Sequence, residues 1–290
     1  MIRCPGCGGL HESRLEACPA CGFRPQVVED HPAWAPALAF GNEGFEPEYF
    51  ENLARLEAGN FWFRARNALV VWALRRYFPG LRSFLEVGCG TGYVTSGVAH
   101  AFPQARLVGS EIYAAGLRHA ARRVPQAAFV QMDARDMPYV DEFDVAAAFD
   151  VVEHIAEDEA VLANLRRAVR PGGGVLLTVP QHPSLWSASD EYARHVRRYT
   201  AREIHRKLRA AGLEVVRSTS FVTLPLPAML VSRLAQRDLA TFDPAGELTM
   251  AKPLDRALEA VLAVERAAIR AGLSLPAGGS RLVVARRSDP

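Results

Sequence analysis

The stretch from Phe84 to Tyr93 reads FLEVGCGTGY, in which a short apolar run meets three glycines at alternate positions. This pattern predicts a β-strand, a tight glycine loop and the start of a helix, so that the backbone can approach a ligand closely. A dinucleotide-binding fingerprint needs glycine where this chain has Tyr93, and the Lys-Ser/Thr pair of a phosphate loop does not follow. The stretch predicts a ligand site at the carboxyl end of a strand, and it disfavours nicotinamide dinucleotides and nucleoside triphosphates.

Apolar runs around this stretch alternate with helical patterns, as expected for repeated βαβ units and an α/β fold. We predict strands over residues 82–88, 106–110, 127–131, 143–149, 174–179, 213–222 and 281–285. We predict helices over residues 46–59, 61–78, 93–102, 113–123, 157–169 and 201–211. The alternation indicates a parallel sheet that is covered by helices on both faces.

The composition of the 290 residues is that of an ordinary globular protein, with 49% hydrophobic and 23% charged residues. The chain has 34 basic and 32 acidic residues, and its formal net charge is +2. This balance leaves no global excess of charge that would require a nucleic acid or an anionic membrane as partner. Any basic surface must be local.

Four of the five cysteines fall in the first 21 residues as two Cys-x-x-Cys pairs, each followed by glycine. The pairs are Cys4 with Cys7 and Cys18 with Cys21. Four thiolates at this spacing suit one tetrahedral Zn²⁺ ion of a structural kind. Two disulfides are the alternative, but the chain opens without an apolar signal segment, which predicts a reducing, cytoplasmic location. We therefore predict a zinc ribbon over residues 1–24.

Prolines and glycines without a sustained period predict a linker over residues 25–45, and hence a main domain over residues 46–290. Within that domain, residues 224–280 are longer than a hairpin needs and include an amphipathic helix. The uncharged run from Ser218 to Ser232 contains two prolines and is too short to span a membrane. Residues 224–280 are predicted as an insertion or cap. An apolar lid, a shallow membrane contact for a hydrophobic acceptor, and a packed cap or homodimer surface all stay open.

Acidic residues stand at the ends of the next predicted strands. Glu111 ends the second strand, Asp133 follows the third, and Asp150 begins a DVVEH motif after the fourth. Together with the ExGxGxG motif that begins at Glu86, these residues resemble the class I S-adenosylmethionine-dependent methyltransferases over residues 46–288. The resemblance implies a seven-stranded Rossmann-like sheet of order 3-2-1-4-5-7-6 with an antiparallel seventh strand, and S-adenosyl-L-methionine as cofactor.

The same resemblance implies where each part of the cofactor binds. Glu86, Gly88 and Gly90 would lie along its methionine part, Glu111 on the ribose and Asp133 on the adenine. These residues would share one rim of the sheet.

Two more residues are assigned to the cofactor. Asp150 lies on the rim named above, after the fourth strand. The segment NFWFRAR of residues 60–66 resembles an aromatic and arginine-containing helix that precedes the sheet in many such enzymes, which implies that Arg66, rather than Arg64, reaches the cofactor's carboxylate. Core packing by Trp62, with both arginines in solvent, is the alternative.

A methyltransferase must align its acceptor and, where that acceptor is a hydroxyl, remove a proton. His195, after the fifth strand, is the first candidate for this base or for an acceptor-orienting group, and His154, after the fourth, is the second. A structural hydrogen bond is the alternative for each. Arg194 and its neighbouring arginines are candidates for binding an acceptor carboxylate or phosphate.

Three functions follow from the sequence. The first is a methyltransferase acting at oxygen or nitrogen of a small-molecule, natural-product or carrier-linked acceptor. The second is a ribosomal RNA methyltransferase with a zinc ribbon that docks RNA, which we disfavour because the ribbon has only three arginines, opposed by two glutamates. The third is a non-catalytic zinc-ribbon adaptor, against which the intact set of cofactor motifs argues.

Overall fold

The computed structural model of the chain describes residues 1–12, 17–40, 47–235, 246 and 249–288. Within them the backbone forms a short two-stranded hairpin and a nine-stranded sheet. The strands are β1 Ile2–Arg3, β2 Leu10–His11, β3 Gln26–Val28, β4 His31–Ala33, β5 Ser83–Val87, β6 Arg106–Glu111, β7 Ala128–Gln131, β8 Phe143–Phe149, β9 Val169–Pro180, β10 Leu213–Phe221 and β11 Ser280–Arg287. Residues 41–45 of the predicted linker lie outside the described residues, as do residues 236–245 and 247–248 of the predicted insertion.

The helices cover both faces of the large sheet. They are α1 Pro47–Leu56, α2 Phe61–Tyr77, α3 Tyr93–Ala101, α4 Ala114–Arg123, α5 Asp158–Ala168, α6 Ala188–Tyr192, α7 Ala201–Ala210, α8 Leu226–Ala235 and α9 Lys252–Arg270. Buried residues of α2, α3, α4 and α9 form one apolar cluster with the sheet, and those of α5 and α7 form the other. Because both faces are buried, β8 is apolar at nearly every position rather than at alternate ones.

The order of the large sheet is β10-β11-β9-β8-β5-β6-β7-β4-β3. Its last seven strands in the chain have the predicted order 3-2-1-4-5-7-6, and β11 is antiparallel to both of its neighbours. The α/β fold class and this strand order are therefore confirmed. The chain leaves β5 first toward β6 and later toward β8 on the other side, so a crevice opens at the carboxyl end of β5.

The sheet has nine strands rather than the predicted seven, because part of the predicted linker 25–45 is not a linker. β3 and β4 form an antiparallel hairpin, and β4 pairs in parallel with β7 through Ala33 and Gln131. Each strand is three residues long, too short for a period to appear in the sequence.

The described part of the ribbon, residues 1–12 and 17–24, packs on the main sheet rather than standing apart from it. Ile2 forms a bridge with Tyr139, and the Arg3 N–H donates to the Pro138 carbonyl at 2.7 Å. Cys4 and Cys18 are buried within the same apolar cluster as Tyr139. Cys4 and Cys18 therefore belong to the same buried core as the residues that follow β7.

The predicted insertion 224–280 contains α8 and α9, and α9 lies against α2. The Arg64 guanidinium bonds to Asp255 and Glu259 of α9 at 2.5 and 2.7 Å, and Asp255 also accepts from the Phe61 N–H at 2.6 Å. The described part of the insertion is thus a cap that is attached to the main domain through polar contacts.

Candidate functional site

A large cavity lies at the carboxyl ends of β5 to β9, where the chain crosses the crevice. Its volume is about 1530 Å³. Pockets for one drug-sized ligand have about 300–1,000 Å³, so this cavity has room for two small molecules side by side. It is lined by residues that follow each of these strands and, on the open side, by the cap residues Met229, Arg233, Leu254 and Leu258.

The glycine loop after β5 forms the floor of the cavity. Gly88 has φ of +68°, and a Cβ there would lie 2.4 Å from a methyl carbon of Val151. Gly92 has φ of +75°, and a Cβ there would lie 2.9 Å from the Ala120 Cα. Both the backbone conformation and the close packing therefore require glycine, as the sequence pattern predicts.

Glu86 lies at the end of β5, beneath this loop and almost fully buried. Thr95 donates to its carboxyl group at 2.5 Å. Burial raises the pKa of Glu86 to about 7, although the Thr95 hydrogen bond and the Arg66 charge oppose the shift. Its carboxyl group therefore changes charge near neutral pH, at the place predicted for the methionine part of a cofactor.

Glu111 lies at the end of β6 and holds the backbone of two loops. Its carboxylate accepts from the N–H groups of Gly90, Ile112 and Tyr113 at 3.0, 2.8 and 3.3 Å. Burial raises the pKa of Glu111, and the three backbone donors oppose that shift. A carboxylate has about four acceptor positions, so one remains for a ligand hydroxyl.

Asp133 lies in the cavity wall after β7, but Arg135 occupies its carboxylate. The Arg135 guanidinium binds both oxygens, at 2.9 and 3.0 Å through Nε and at 2.8 Å through Nη2. A bond from Asp133 to an adenine amino group must therefore share the carboxylate with this pair or displace it.

Arg66 and Asp150 both line the cavity and bind each other. Arg66 Nη1 donates to Asp150, whose carboxylate also accepts from Thr178 at 3.0 Å. The guanidinium lies 4.4 Å from the centre of the Trp62 ring, and its Nε is buried without a partner among the described residues. Arg64 instead pairs with α9, so of the two arginines Arg66 is the one that lines the cavity.

His195 lies in the wall of the cavity, in a short loop after α6, and it is oriented by a carboxylate. Its Nδ1–H donates to Asp190 at 2.8 Å, and Asp190 also accepts from Arg198 at 2.7 Å and from Arg233 at 3.0 Å. Burial opposes ionisation, but the His195 hydrogen bond and the Arg198 charge hold the pKa of Asp190 below its usual range. The ionised Asp190 fixes the His195 tautomer that leaves Nε2 free to accept a proton.

His154 contacts His195 directly, with ring centres 4.6 Å apart. The two histidines come from different loops, one after β8 and one after α6, and these loops converge at one place in the cavity wall. Burial, followed by the nearby His195, lowers the pKa of His154 to about 3, and backbone hydrogen bonds to Ala193 and Asp150 oppose the shift. His154 is thus neutral across the physiological range and a weaker base than a histidine held by a carboxylate.

Glu153 is fully buried between these groups, and the sequence analysis gave it no role. Neither carboxyl oxygen has a hydrogen-bond partner among the described residues. Burial, followed by the Asp150 charge, raises the pKa of Glu153 well above its usual range. Burial therefore favours the uncharged carboxylic acid form of Glu153 in the wall of the cavity.

Arg194 lies beside His195 in the cavity wall with its side chain exposed. Its φ is +54°, which is rare for a residue other than glycine. Arg66, Arg135, Arg198 and Arg233 each bind a carboxylate in the same cavity. Arg194 has no acidic partner among the described residues.

The four ribbon cysteines come together at one point, with all four sulfurs within 4.8 Å of one another. Cys4 and Cys21 have sulfurs 3.6 Å apart, as do Cys7 and Cys18. Tetrahedral Zn–S bonds of about 2.3 Å separate sulfurs by about 3.8 Å, whereas a disulfide bond is about 2.05 Å long. The thiols are free, and their arrangement is compatible with a zinc ribbon.

Two residues that hold the cavity and its histidine in place, Asp190 and Gln131, were not predicted from the sequence as site residues. Asp190 precedes His195 by only five residues, and that spacing within one loop was the available signal. Gln131 ends β7 without any motif, yet its buried amide bonds to Ala35 and to the Ile112 carbonyl. No sequence pattern indicated this contact, because it joins segments far apart in the chain.

A family model described as a methyltransferase domain matches residues 49–218, more than half of the chain. A probable S-adenosylmethionine-dependent methyltransferase of Mycolicibacterium smegmatis is 30% identical over 159 residues, which are 54% of this chain and 60% of that protein. A trans-aconitate 2-methyltransferase of Azoarcus sp. is 32% identical over 98 residues, 34% of this chain and 39% of that protein. The chain spans less than two thirds of the length of either relative.

The fold also resembles a solved structure, that of the [4+2]-cyclase SpnF. The TM-score is 0.54 at 20% sequence identity, and the match covers 79% of this chain and 83% of that one. This likeness shows a shared fold. Among the described residues, no helix is both long and apolar enough to cross a bilayer.

Proposed function

Because the chain belongs to the methyltransferase domain family, whose model matches residues 49–218, we propose that it transfers the methyl group of S-adenosyl-L-methionine to an oxygen or nitrogen atom of an anionic acceptor. The acceptor is a small molecule, a natural product or a carrier-linked group. The observation that carries this proposal is one cavity that joins the glycine loop of β5 to the His195–Asp190 pair.

The cofactor half of the cavity supports binding of S-adenosyl-L-methionine, which supplies an electrophilic methyl group next to its sulfur. Glu111 offers one free acceptor position to a ribose hydroxyl. Gly88 and Gly90 let the ligand approach the backbone, and Glu86 suits the amino group of the methionine part. Arg66 suits its carboxylate, since the buried Nε has no other partner among the described residues.

Cofactor binding should depend on pH through Glu86. Its pKa is about 7 in the free chain, so the carboxyl group is protonated below that value and cannot pair with the ligand's ammonium group. We expect the dissociation constant of S-adenosylhomocysteine to rise as the pH falls below about 7, by up to roughly tenfold per pH unit. Calorimetric titrations from pH 5.5 to 8.5 measure this, and Glu86→Gln should flatten the profile. A flat profile in the unaltered chain would remove Glu86 from the cofactor site.

The acceptor half of the cavity carries net positive charge. Arg198 and Arg233 share the single carboxylate of Asp190, burial favours the uncharged form of Glu153, and Arg194 has no described acidic partner. An anionic group on the acceptor would satisfy Arg194, and the apolar side chains Leu254, Leu258 and Met229 would contact the rest of it. The relative named a trans-aconitate 2-methyltransferase is consistent with an acceptor of this kind.

The proposed function is tested by transfer of an isotope-labelled methyl group to a panel of carboxylate, phosphate and neutral acceptors, with S-adenosylhomocysteine release as readout. Turnover of at least one anionic acceptor, and a KM that rises about tenfold or more in Arg194→Gln, is the expected result. Arg122→Gln, an exposed arginine on α4 outside the cavity wall, is the matched control. Transfer to neutral acceptors alone, with Arg194→Gln unaltered, would refute the anionic class.

Zn²⁺ is proposed for the ribbon, where Cys4, Cys7, Cys18 and Cys21 would hold it and their sulfurs already have suitable separations. We expect purified, zinc-supplemented protein to contain about one zinc per chain. Cys7→Ser should lower this below half an equivalent, because three thiolates bind more weakly than four. Cys89→Ser, which changes the one cysteine outside the ribbon, should keep the full equivalent. Elemental analysis decides, and less than half an equivalent in the unaltered chain would contradict the assignment.

The shared fold does not by itself fix the reaction, since the similar structure is named a cyclase. The observation that favours methyl transfer over a non-catalytic adaptor is the histidine with a carboxylate partner beside the glycine loop. No specific contact favours an RNA acceptor. A cytoplasmic location and a homodimer remain predictions.

A further inference from the structure

Residues 34–40, which leave the β3–β4 hairpin, form part of the cavity wall. Leu38 and Phe40 line the cavity, as do Ile112 and Tyr113. The Ala114 N–H donates to the Ala39 carbonyl at 3.1 Å, which joins this segment to the loop after β6. The position of residues 34–40 therefore sets the shape of the cavity next to Glu111.

The Gln131 side chain joins three segments beneath that wall. Its amide oxygen accepts from the Ala35 N–H at 3.0 Å, and its amide nitrogen donates to the carbonyls of Ala35 and Ile112 at 2.8 and 2.9 Å. Gln131 is fully buried and lies two residues before Asp133. The Gln131 side chain thus fixes residues 34–40, the loop after β6 and the end of β7 relative to one another.

The ribbon itself supports both segments that flank this part of the cavity. The Phe23 ring stacks on the Trp34 ring, with ring centres 6.4 Å apart. The backbone N–H of Trp34 donates to the backbone carbonyl of Gln131 at 2.8 Å. On the other side, Ile2 bridges Tyr139 and the Arg3 backbone N–H donates to the Pro138 carbonyl, next to the buried Cys4. Residues 132–140, the loop that carries Asp133, therefore rest on the cysteine cluster.

We propose that metal loading of the four ribbon cysteines controls the affinity of the cofactor site. Gln131 is the positioning residue that connects the ribbon to this site. The inference rests on the proposed function for the identity of the ligand. A ribbon of about twenty residues cannot bury a core of its own, so its fold depends on the metal. Without it, residues 34–40 and 132–140 lose their support, and the wall beside Glu111 is no longer held in place.

Thermodynamic linkage makes the coupling reciprocal. If zinc raises the affinity for S-adenosylhomocysteine by some factor, S-adenosylhomocysteine must raise the affinity for zinc by the same factor. This second quantity is measurable on the metal-loaded full-length chain, by competition with a chromogenic chelator. It does not require the metal-free chain to remain folded.

The experiment combines both readouts. We expect calorimetry to give at least tenfold weaker S-adenosylhomocysteine binding after zinc removal, and saturating S-adenosylhomocysteine to make the chelator at least tenfold less effective. In Gln131→Met, which keeps the side-chain length but not the amide, the zinc should stay bound and the coupling should fall to threefold or less. Gln104→Met, at an exposed glutamine outside the cavity wall, is the matched control and should keep the full coupling.

The coupling is overturned if chelator competition is the same with and without S-adenosylhomocysteine, or if Gln131→Met keeps it in full. A zinc-loaded chain that does not bind S-adenosylhomocysteine at all would overturn the proposed function together with this inference. Binding to the loaded chain that is equally tight after zinc removal would overturn the coupling and leave the proposed function intact.

Discussion

Turnover of a hydroxyl acceptor falls by about 10²- to 10⁴-fold when His195 is replaced by alanine, whereas S-adenosylhomocysteine affinity changes by less than about threefold. The reason is that His195 Nε2, in the tautomer fixed by Asp190, removes the proton of the acceptor as the carbon–oxygen bond forms. Only the neutral imidazole accepts a proton. Steady-state kinetics with the acceptor found by methyl transfer, together with calorimetry, measures both quantities.

Variants at two other histidines serve as controls for this experiment. His100→Ala changes an exposed histidine of α3 and should leave turnover unaltered. His154→Ala should lower turnover less than His195→Ala, because His154 has its pKa lowered to about 3 and makes its hydrogen bonds to backbone rather than to a carboxylate. Near-normal turnover of His195→Ala across pH 5 to 9 would assign proton removal to solvent or to the acceptor. In that case the chain contributes only alignment and exclusion of water.

Glu111→Ala should weaken S-adenosylhomocysteine binding by about 10²-fold or more. One charge-assisted bond to a ribose hydroxyl accounts for about 1.5–3 kcal/mol. The same substitution also frees the N–H groups of Gly90 and Ile112, so the glycine loop is less well ordered for its ligand. Calorimetry at pH 8 gives the dissociation constants.

Two glutamate variants separate binding from folding in that experiment. Glu111→Gln keeps one acceptor oxygen and should lose less affinity than Glu111→Ala. Glu159→Ala removes an exposed carboxylate of α5 that lies 3.8 Å from Arg206, and it should leave both affinity and thermal unfolding unaltered. Unchanged affinity in a folded Glu111→Ala protein would withdraw the ribose assignment.

Seven of the nine strands of the main sheet were predictable because clear helical or turn signals separate them, whereas their order came from the resemblance to a known family. Parallel strands place their carboxyl ends along one rim, so Glu86, Glu111, Asp133 and Asp150 were expected to lie together, and they all line one cavity. The β3–β4 hairpin was not predictable in the same way. Its strands are fixed by pairing with β7, almost one hundred residues further along the chain.

The partners of the charged residues were also beyond sequence reasoning. Arg66 binds Asp150 across 84 residues of sequence, and His195 shares Asp190 with Arg233 of the cap. Such pairs depend on how the cap and α2 pack, and local periodicity contains no information on those distances. The raised pKa of Glu153 was also beyond sequence reasoning, since it follows from burial that only the fold defines.

The most direct test of a methyl-transfer site in this cavity is a crystal structure of the full-length chain with S-adenosylhomocysteine. We predict the ribose on Glu111, the homocysteine along Gly88 and Glu86, and the sulfur open toward His195 and Arg194. A ligand bound outside the cavity, or a sulfur turned toward the buried β5 side with no path to His195, would contradict the account.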